Sequence, residues 1–105
     1  MKHIILITAT LILGVLTTTV QAGDAAAGKA VYMQCQACHG ANGEGNEALK
    51  APKVAGQYAW YIISSLKQYK EGGRSYPEAA AMVPFASMLS DTQKADVAAY
   101  IASMK

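Results

Sequence analysis

Cys35-Gln36-Ala37-Cys38-His39 constrains this chain more than any other stretch. Two thiols separated by two residues and followed at once by an imidazole form the attachment pattern of a c-type haem. Each thiol can add to one vinyl group of the macrocycle. The adjoining imidazole is then held beneath the iron as its proximal ligand. The chain has only these two cysteines, and its second histidine, His3, lies at the extreme N-terminus. One pattern therefore implies one covalently bound haem c, with Cys35 and Cys38 as attachment sites and His39 as an iron ligand.

Other uses of a Cys-x-x-Cys pair fit less well. A thioredoxin-like dithiol wants a strand followed by a helix, whereas the flanks here read as helical and glycine-rich. A structural zinc needs four ligands, and Cys35, Cys38 and His39 supply three. A disulfide across two intervening residues would close a very small loop and stabilise little.

Residues 1–22 have the layout of a secretory signal. Lys2 is followed by an apolar, uncharged stretch over residues 4–16, and Val20-Gln21-Ala22 places small residues where a signal peptidase reads them. Cleavage after Ala22 would leave a single domain over residues 23–105. The uncharged run 4–23 is also about long enough to span a bilayer, so an uncleaved anchor is the alternative; the Thr17-Thr18-Thr19 cluster and the Val-Gln-Ala end favour cleavage. Export suits the cysteine pattern, because thioether attachment is associated with the outer side of a bacterial cytoplasmic membrane, where free thiol pairs tend to oxidise. The expected location is the periplasm, with no membrane span after cleavage.

A domain of this size builds only a marginal core unaided, and a flat, covalently held macrocycle would supply the missing apolar volume. The 52% hydrophobic content is inflated by the leader. The formal net charge is +2, one unit of it from Lys2. So near-neutral a domain lacks the basic excess that nucleic-acid binding requires.

The helical signals are clear in three places. Asp24 is placed to cap a helix over residues 25–33, with Gly28 in its interior marking a close approach by another helix. Tyr58, Tyr61, Ile62, Ser65, Leu66 and Tyr69 fall at helical spacing within residues 57–71, and Gly72-Gly73 ends that run. Ser90-Asp91-Thr92-Gln93 is a capping box, and Asp91 suits the positive end of the helix it opens. Val97, Tyr100, Ile101 and Met104 then share one apolar face. Between these lie a loop over residues 40–56, dense in Gly, Asn and Pro, and a stretch 74–88 interrupted by Pro77 and Pro84, where residues 78–82 form at most a short helical turn. No strand pattern stands out. The expectation is an all-α, loop-rich domain of three main helices.

A haem iron with one histidine has a second axial side, and a methionine thioether there raises the reduction potential. Met33 is too near Cys35 to reach the far face, and Met104 belongs to the last helix's apolar face. Met82 and Met88 remain. Met82 precedes Val83-Pro84, and proline biases the backbone before it toward extended conformations, which suits a ligand offered from a loop. Met88 adjoins Leu89 and the last helix cap, where packing beneath that helix is the simpler role.

Taken together, these residues resemble the small bacterial class I c-type cytochromes, nearest to one half of the di-haem bacterial cytochromes c. The resemblance covers nearly all of residues 23–105. It runs from Gly28-Lys29-Ala30-Val31-Tyr32 into Cys35-Gln36-Ala37-Cys38-His39-Gly40. It continues through Gly43-Glu44-Gly45-Asn46 and Pro52-Lys53-Val54-Ala55-Gly56-Gln57. It ends with Met82, Ala86 and Leu89-Ser90-Asp91, then Val97-Ala98-Ala99-Tyr100-Ile101. It implies a cytochrome c fold, with three main helices around the haem. It also implies that the Pro52 carbonyl orients the His39 ring, that Met82 is the distal ligand, and that Gly28 meets Tyr100 where the first and last helices cross. Unlike the di-haem members, this chain has one such domain.

The function that follows is periplasmic electron transfer by a monomer that docks transiently on redox partner proteins at the haem edge, with no bond-making catalysis. A haem subunit of a dehydrogenase or oxidase would instead carry a large exposed apolar patch. A ligand-binding or peroxidase-like protein would leave the distal side of the iron open.

Overall fold

A computed structural model of the chain describes Ile5, residues 7–15 and residues 23–105. The expected cleavage point after Ala22 lies outside the described residues, as does the threonine cluster before it. Among the described residues, no helix is long and apolar enough to cross a membrane.

Five α-helices and one 3₁₀ segment make up the domain: α1 (Ala25–Tyr32), α2 (Gln36–His39), α3 (Ala59–Lys70), the 3₁₀ segment Pro77–Met82, α4 (Val83–Met88) and α5 (Asp91–Ser103). The described residues hold no strand, only an isolated bridge between Asn46 and Ala51. Asp24 caps α1 by accepting from the backbone N–H groups of Ala26 and Ala27. The capping box of α5 is complete in both directions: Gln93 N–H donates to the Ser90 hydroxyl, and Ser90 N–H donates to the Gln93 side chain.

Helices α1 and α5 cross at Gly28. A Cβ there would collide with the Asp96 carbonyl and stand 3.0 Å from Tyr100 Cβ, so only glycine lets the backbones approach this closely. One turn on, the Tyr32 and Tyr100 rings pack with centroids 5.5 Å apart. At the start of the domain, Asp24 N–H donates to Asp96 Oδ1 at 2.8 Å. Helix α3 lies across α5 and buries Ile62, Ser65, Leu66 and Tyr69. With Tyr32, Ala79, Ala86, Leu89, Val97, Ala98 and Ile101, its apolar residues form one core cluster.

Two of the residues expected on the α3 stripe stay outside. Tyr58 is the N-cap and is 69% exposed, and Tyr61 is 39% exposed. The tail of α3 ends in a Schellman motif: Gly73 N–H donates to the Gln68 carbonyl and Gly72 N–H to that of Tyr69, with Gly72 at φ 71°.

Residues 74–88 are more helical than their prolines suggested. Pro77 and Pro84 each sit in the first turn of a helical segment, where a missing N–H removes no hydrogen bond and the fixed φ favours the helix. Val83, immediately before Pro84, is helical at φ −57°, ψ −49°. Met82 is therefore not offered from an extended loop. It stands at the joint between the 3₁₀ segment and α4 with φ −81°, ψ −20°. Met88 does not pack under α5 either; it is 62% exposed.

Candidate cofactor site

The cysteine pair and the histidine come from one tight stretch. The end of α1 turns through a hydrogen bond from Cys35 N–H to the Tyr32 carbonyl at 2.8 Å, and Cys35 then caps α2. Cys35 is partly exposed, Cys38 is exposed, and neither is in a disulfide. A separation of three residues on a helical turn puts both thiols on one side of it. Burial pushes the Cys35 thiol up, and the neighbouring Cys38 adds to this. His39 closes α2 and is buried.

The imidazole is oriented from the loop that follows. His39 Nδ1 lies 2.8 Å from the Pro52 carbonyl oxygen. A carbonyl only accepts, so Nδ1 carries the proton and Nε2 keeps its lone pair for a metal. The loop is held by its own backbone: Gly45 N–H donates to the His39 carbonyl at 2.7 Å, Val54 and Ala55 both donate to that of Gly43, and Gly56 N–H donates to Ile101 on α5. Gly45 adopts φ 82°, and a Cβ on it would lie 2.6 Å from Lys53 N and 2.8 Å from the Pro52 carbonyl carbon. The carbonyl that faces His39 thus depends on a side chain being absent at Gly45. Tyr32 fixes the near end of the loop by donating its hydroxyl proton to the Gly40 carbonyl at 2.6 Å.

Met82 is half-buried and packs against the same core cluster as Cys35. The other methionines differ in environment. Met33 and Met88 are exposed, and Met104 packs against the core at the end of α5.

The donor set suits a haem iron better than a bare ion. Among the described residues, no three His, Cys, Asp or Glu side chains gather as a metal site. Two free thiols beside an imidazole with one committed nitrogen fit a macrocycle anchored at two points and ligated at one. A shallow groove of about 500 Å³ lies elsewhere, on the outer face of α3 between Trp60, Ile63 and Lys67. It is lined by no thiol, imidazole or thioether.

One feature near this core had no signal in the sequence. Arg74 folds back along α3, with Nε donating to Gln68 Oε1 at 3.1 Å and Nη2 to Ser65 Oγ at 2.9 Å. Only the residue type could have pointed to it, because its partners lie six to thirteen positions back across a chain reversal.

Comparison with known proteins places this geometry in a context. The family model described as "Cytochrome c" matches residues 25–105. The chain is 46% identical over 84 residues to cytochrome c-554(548) of Halomonas halodenitrificans, covering 80% of this chain and 100% of that one. It is 41% identical over 101 residues to cytochrome c4 of Pseudomonas aeruginosa, covering 96% of this chain and 48% of that one. It therefore spans the whole of the first relative and about half of the second. Among solved structures, cytochrome c4 of Acidithiobacillus ferrooxidans superposes with a TM-score of 0.70 at 31% identity, over 83% of this chain and 53% of that chain.

Proposed function

The chain belongs to the cytochrome c family, and from that premise we propose a one-electron carrier of the periplasm, formed by residues 23–105 once residues 1–22 are removed, with iron held between His39 and Met82. The fold is the cytochrome c fold, the cofactor is covalently bound haem c, and electron transfer is the activity common to the family. When bound, this cofactor supplies one-electron exchange between ferric and ferrous iron.

The chain's own residues do the rest. Cys35 and Cys38 anchor the macrocycle. The hydrogen bond from His39 to the Pro52 carbonyl carries the reading, because it fixes both the tautomer and the plane of the ring and raises its basicity as a ligand. Met82 supplies the thioether from a half-buried position. With His39 and Met82 as the protein's two ligands, a bound haem would exchange one electron with little rearrangement of the chain, and no bond-making step is assigned to the protein. Its partners are redox proteins met transiently at the haem edge, and the carrier acts as a monomer.

Intact mass and a visible spectrum of the exported protein test this. The expected mass is that of residues 23–105 plus one haem, with a six-coordinate spectrum. A mass without covalent haem overturns the reading.

One observation favours a second reading, a haem subunit held in a larger redox complex. Tyr58 and Trp60 are 69% and 67% exposed and stack on each other with centroids 6.3 Å apart, beside the groove on α3. Paired exposed aromatics are common anchors at interfaces. Size exclusion of the protein from its native source separates the two: a monomer supports the carrier, and a stable large assembly supports the subunit.

A further inference from the structure

The chain leaves α3 through Glu71, Gly72 and Gly73, which the backbone ties to the last turn of the helix; beyond them lie Arg74, Ser75 and Tyr76 before the 3₁₀ segment. After the glycines its path is held at two points by side chains reaching back to α3. Arg74 is the first. Its guanidinium hydrogen-bonds Gln68 and Ser65 and, at a longer 3.4 Å, the Tyr61 hydroxyl. The same group lies 5.0 Å from the Tyr69 ring centroid and 5.8 Å from that of Tyr61. Among the described residues Arg74 forms no ion pair. One planar fork thus grips groups spread over about two turns of α3, and every one of them is neutral. Tyr76 is the second point. Its hydroxyl hydrogen-bonds that of Tyr69, which is buried in the core, and the two rings meet edge-on.

Pro77 follows immediately and opens the 3₁₀ segment. Ala79 inserts into the core at 2% exposure, and Met82 ends the segment against the same cluster. From Arg74 to Met82 there is no further loop to absorb slack.

We propose that Arg74, together with Tyr76, is a positioning device that fixes the backbone from which Met82 reaches the iron. This rests on the reading of Met82 as the distal ligand. A methionine side chain is flexible and does not hold its own position, so the share of molecules with sulfur in bonding reach is set by the segment that carries it. Releasing the clasp lowers the competent fraction and weakens apparent ligation in proportion.

The test uses exported holoprotein carrying Arg74→Gln, Arg74→Lys, Tyr76→Phe, or Lys67→Gln as a control on the exposed outer face of α3. The sulfur-to-iron charge-transfer band of the ferric protein and its rate of cyanide capture are measured beside the far-UV helical signal. In Arg74→Gln and Tyr76→Phe the band weakens and cyanide binds about tenfold faster, the population shift expected when part-buried hydrogen bonds of the clasp are lost, while the helical signal is unchanged. Arg74→Lys, which keeps the charge without the fork, lies between Gln and wild type. Lys67→Gln matches wild type.

The proposal is overturned if Arg74→Gln and Tyr76→Phe keep the wild-type band and cyanide rate, even with a lowered melting temperature. It is also overturned if Lys67→Gln reproduces their effect. Met82→Ala run in parallel separates the two levels. A wild-type band in Met82→Ala removes the ligand assignment itself; its loss there, with a wild-type band in Arg74→Gln, removes the positioning role alone.

Discussion

Residues 39–56 and residues 71–82 flank the same core, and they are held by different means. The first stretch is a loop locked by its own backbone. Carbonyls of His39, Gly43 and Asn46 accept from N–H groups within it, and Gly56 ties it to α5. The second leaves α3 through a glycine pair and is then held by the side chains of Arg74 and Tyr76. A backbone-locked loop presents a carbonyl to His39 with little freedom. A side-chain-held connection presents Met82 through contacts that can be removed one at a time. The histidine side should therefore fail abruptly when altered, and the methionine side in graded steps.

The largest effect is expected on the histidine side. Replacing both thiols, Cys35→Ser with Cys38→Ser, removes the covalent anchor from a domain too small to hold a stable core alone. Intact mass should show no attached haem, and circular dichroism should show a largely unfolded chain at room temperature.

Gly45→Ala comes next. It combines a left-handed φ with a Cβ pressed into the backbone of Pro52 and Lys53. It should cost about 3 kcal/mol by denaturant titration and loosen the His39 contact.

Tyr32 gives a smaller, pH-dependent effect. Burial pushes its hydroxyl up to about 12 from 10.0 in the chain with free thiols, where the Cys35 and Glu44 charges add; with Cys35 tied to haem, burial and Glu44 remain as causes. The folded state holds this proton more tightly than the unfolded chain. The contribution is therefore complete below pH 10 and is lost as pH rises from 10 to 12. Tyr32→Phe should flatten that slope in a pH series of thermal melts. At neutral pH it should cost about 1 kcal/mol for the lost hydrogen bond to Gly40.

The smallest effect is expected after α3. Gly73 is not at positive φ, and a Cβ there would meet nothing closer than 3.5 Å. Gly73→Ala should stabilise by about 0.5 kcal/mol through the unfolded state. A loss as large as that of Gly45→Ala would erase the contrast between the two regions.

The same contrast explains what could be read from the sequence. The Asp24 cap, the capping box at Ser90, the glycine end of α3 and the close approach at Gly28 are all local or one-residue signals, and the structure carries each of them. The cysteine pattern is an equally local signal, read from five residues. Glycine density in residues 40–56 likewise announced an irregular backbone.

The stretch that bears Met82 was less legible. Pro77 and Pro84 read as interruptions, yet each opens a helical segment, because the cost of proline depends on where the helix starts. Met88 was expected under α5, but α4 turns it outward. Tyr58 and Tyr61 fall on the spacing of the buried stripe, yet Tyr58 is the N-cap and Tyr61 turns toward Arg74 at the surface, while Ala59 and Ile62 beside them pack on the core. Arg74 depends on a chain reversal that brings it back over residues far behind it, and no periodicity records that.

The assignment of the iron to His39 and Met82 is tested most directly by the sulfur-to-iron charge-transfer band of the exported ferric protein in two variants, Met82→Ala and Met88→Ala. The expected result is loss of the band in Met82→Ala, with haem still covalently attached, and a wild-type band in Met88→Ala. A band that survives Met82→Ala, or vanishes in Met88→Ala, would contradict it.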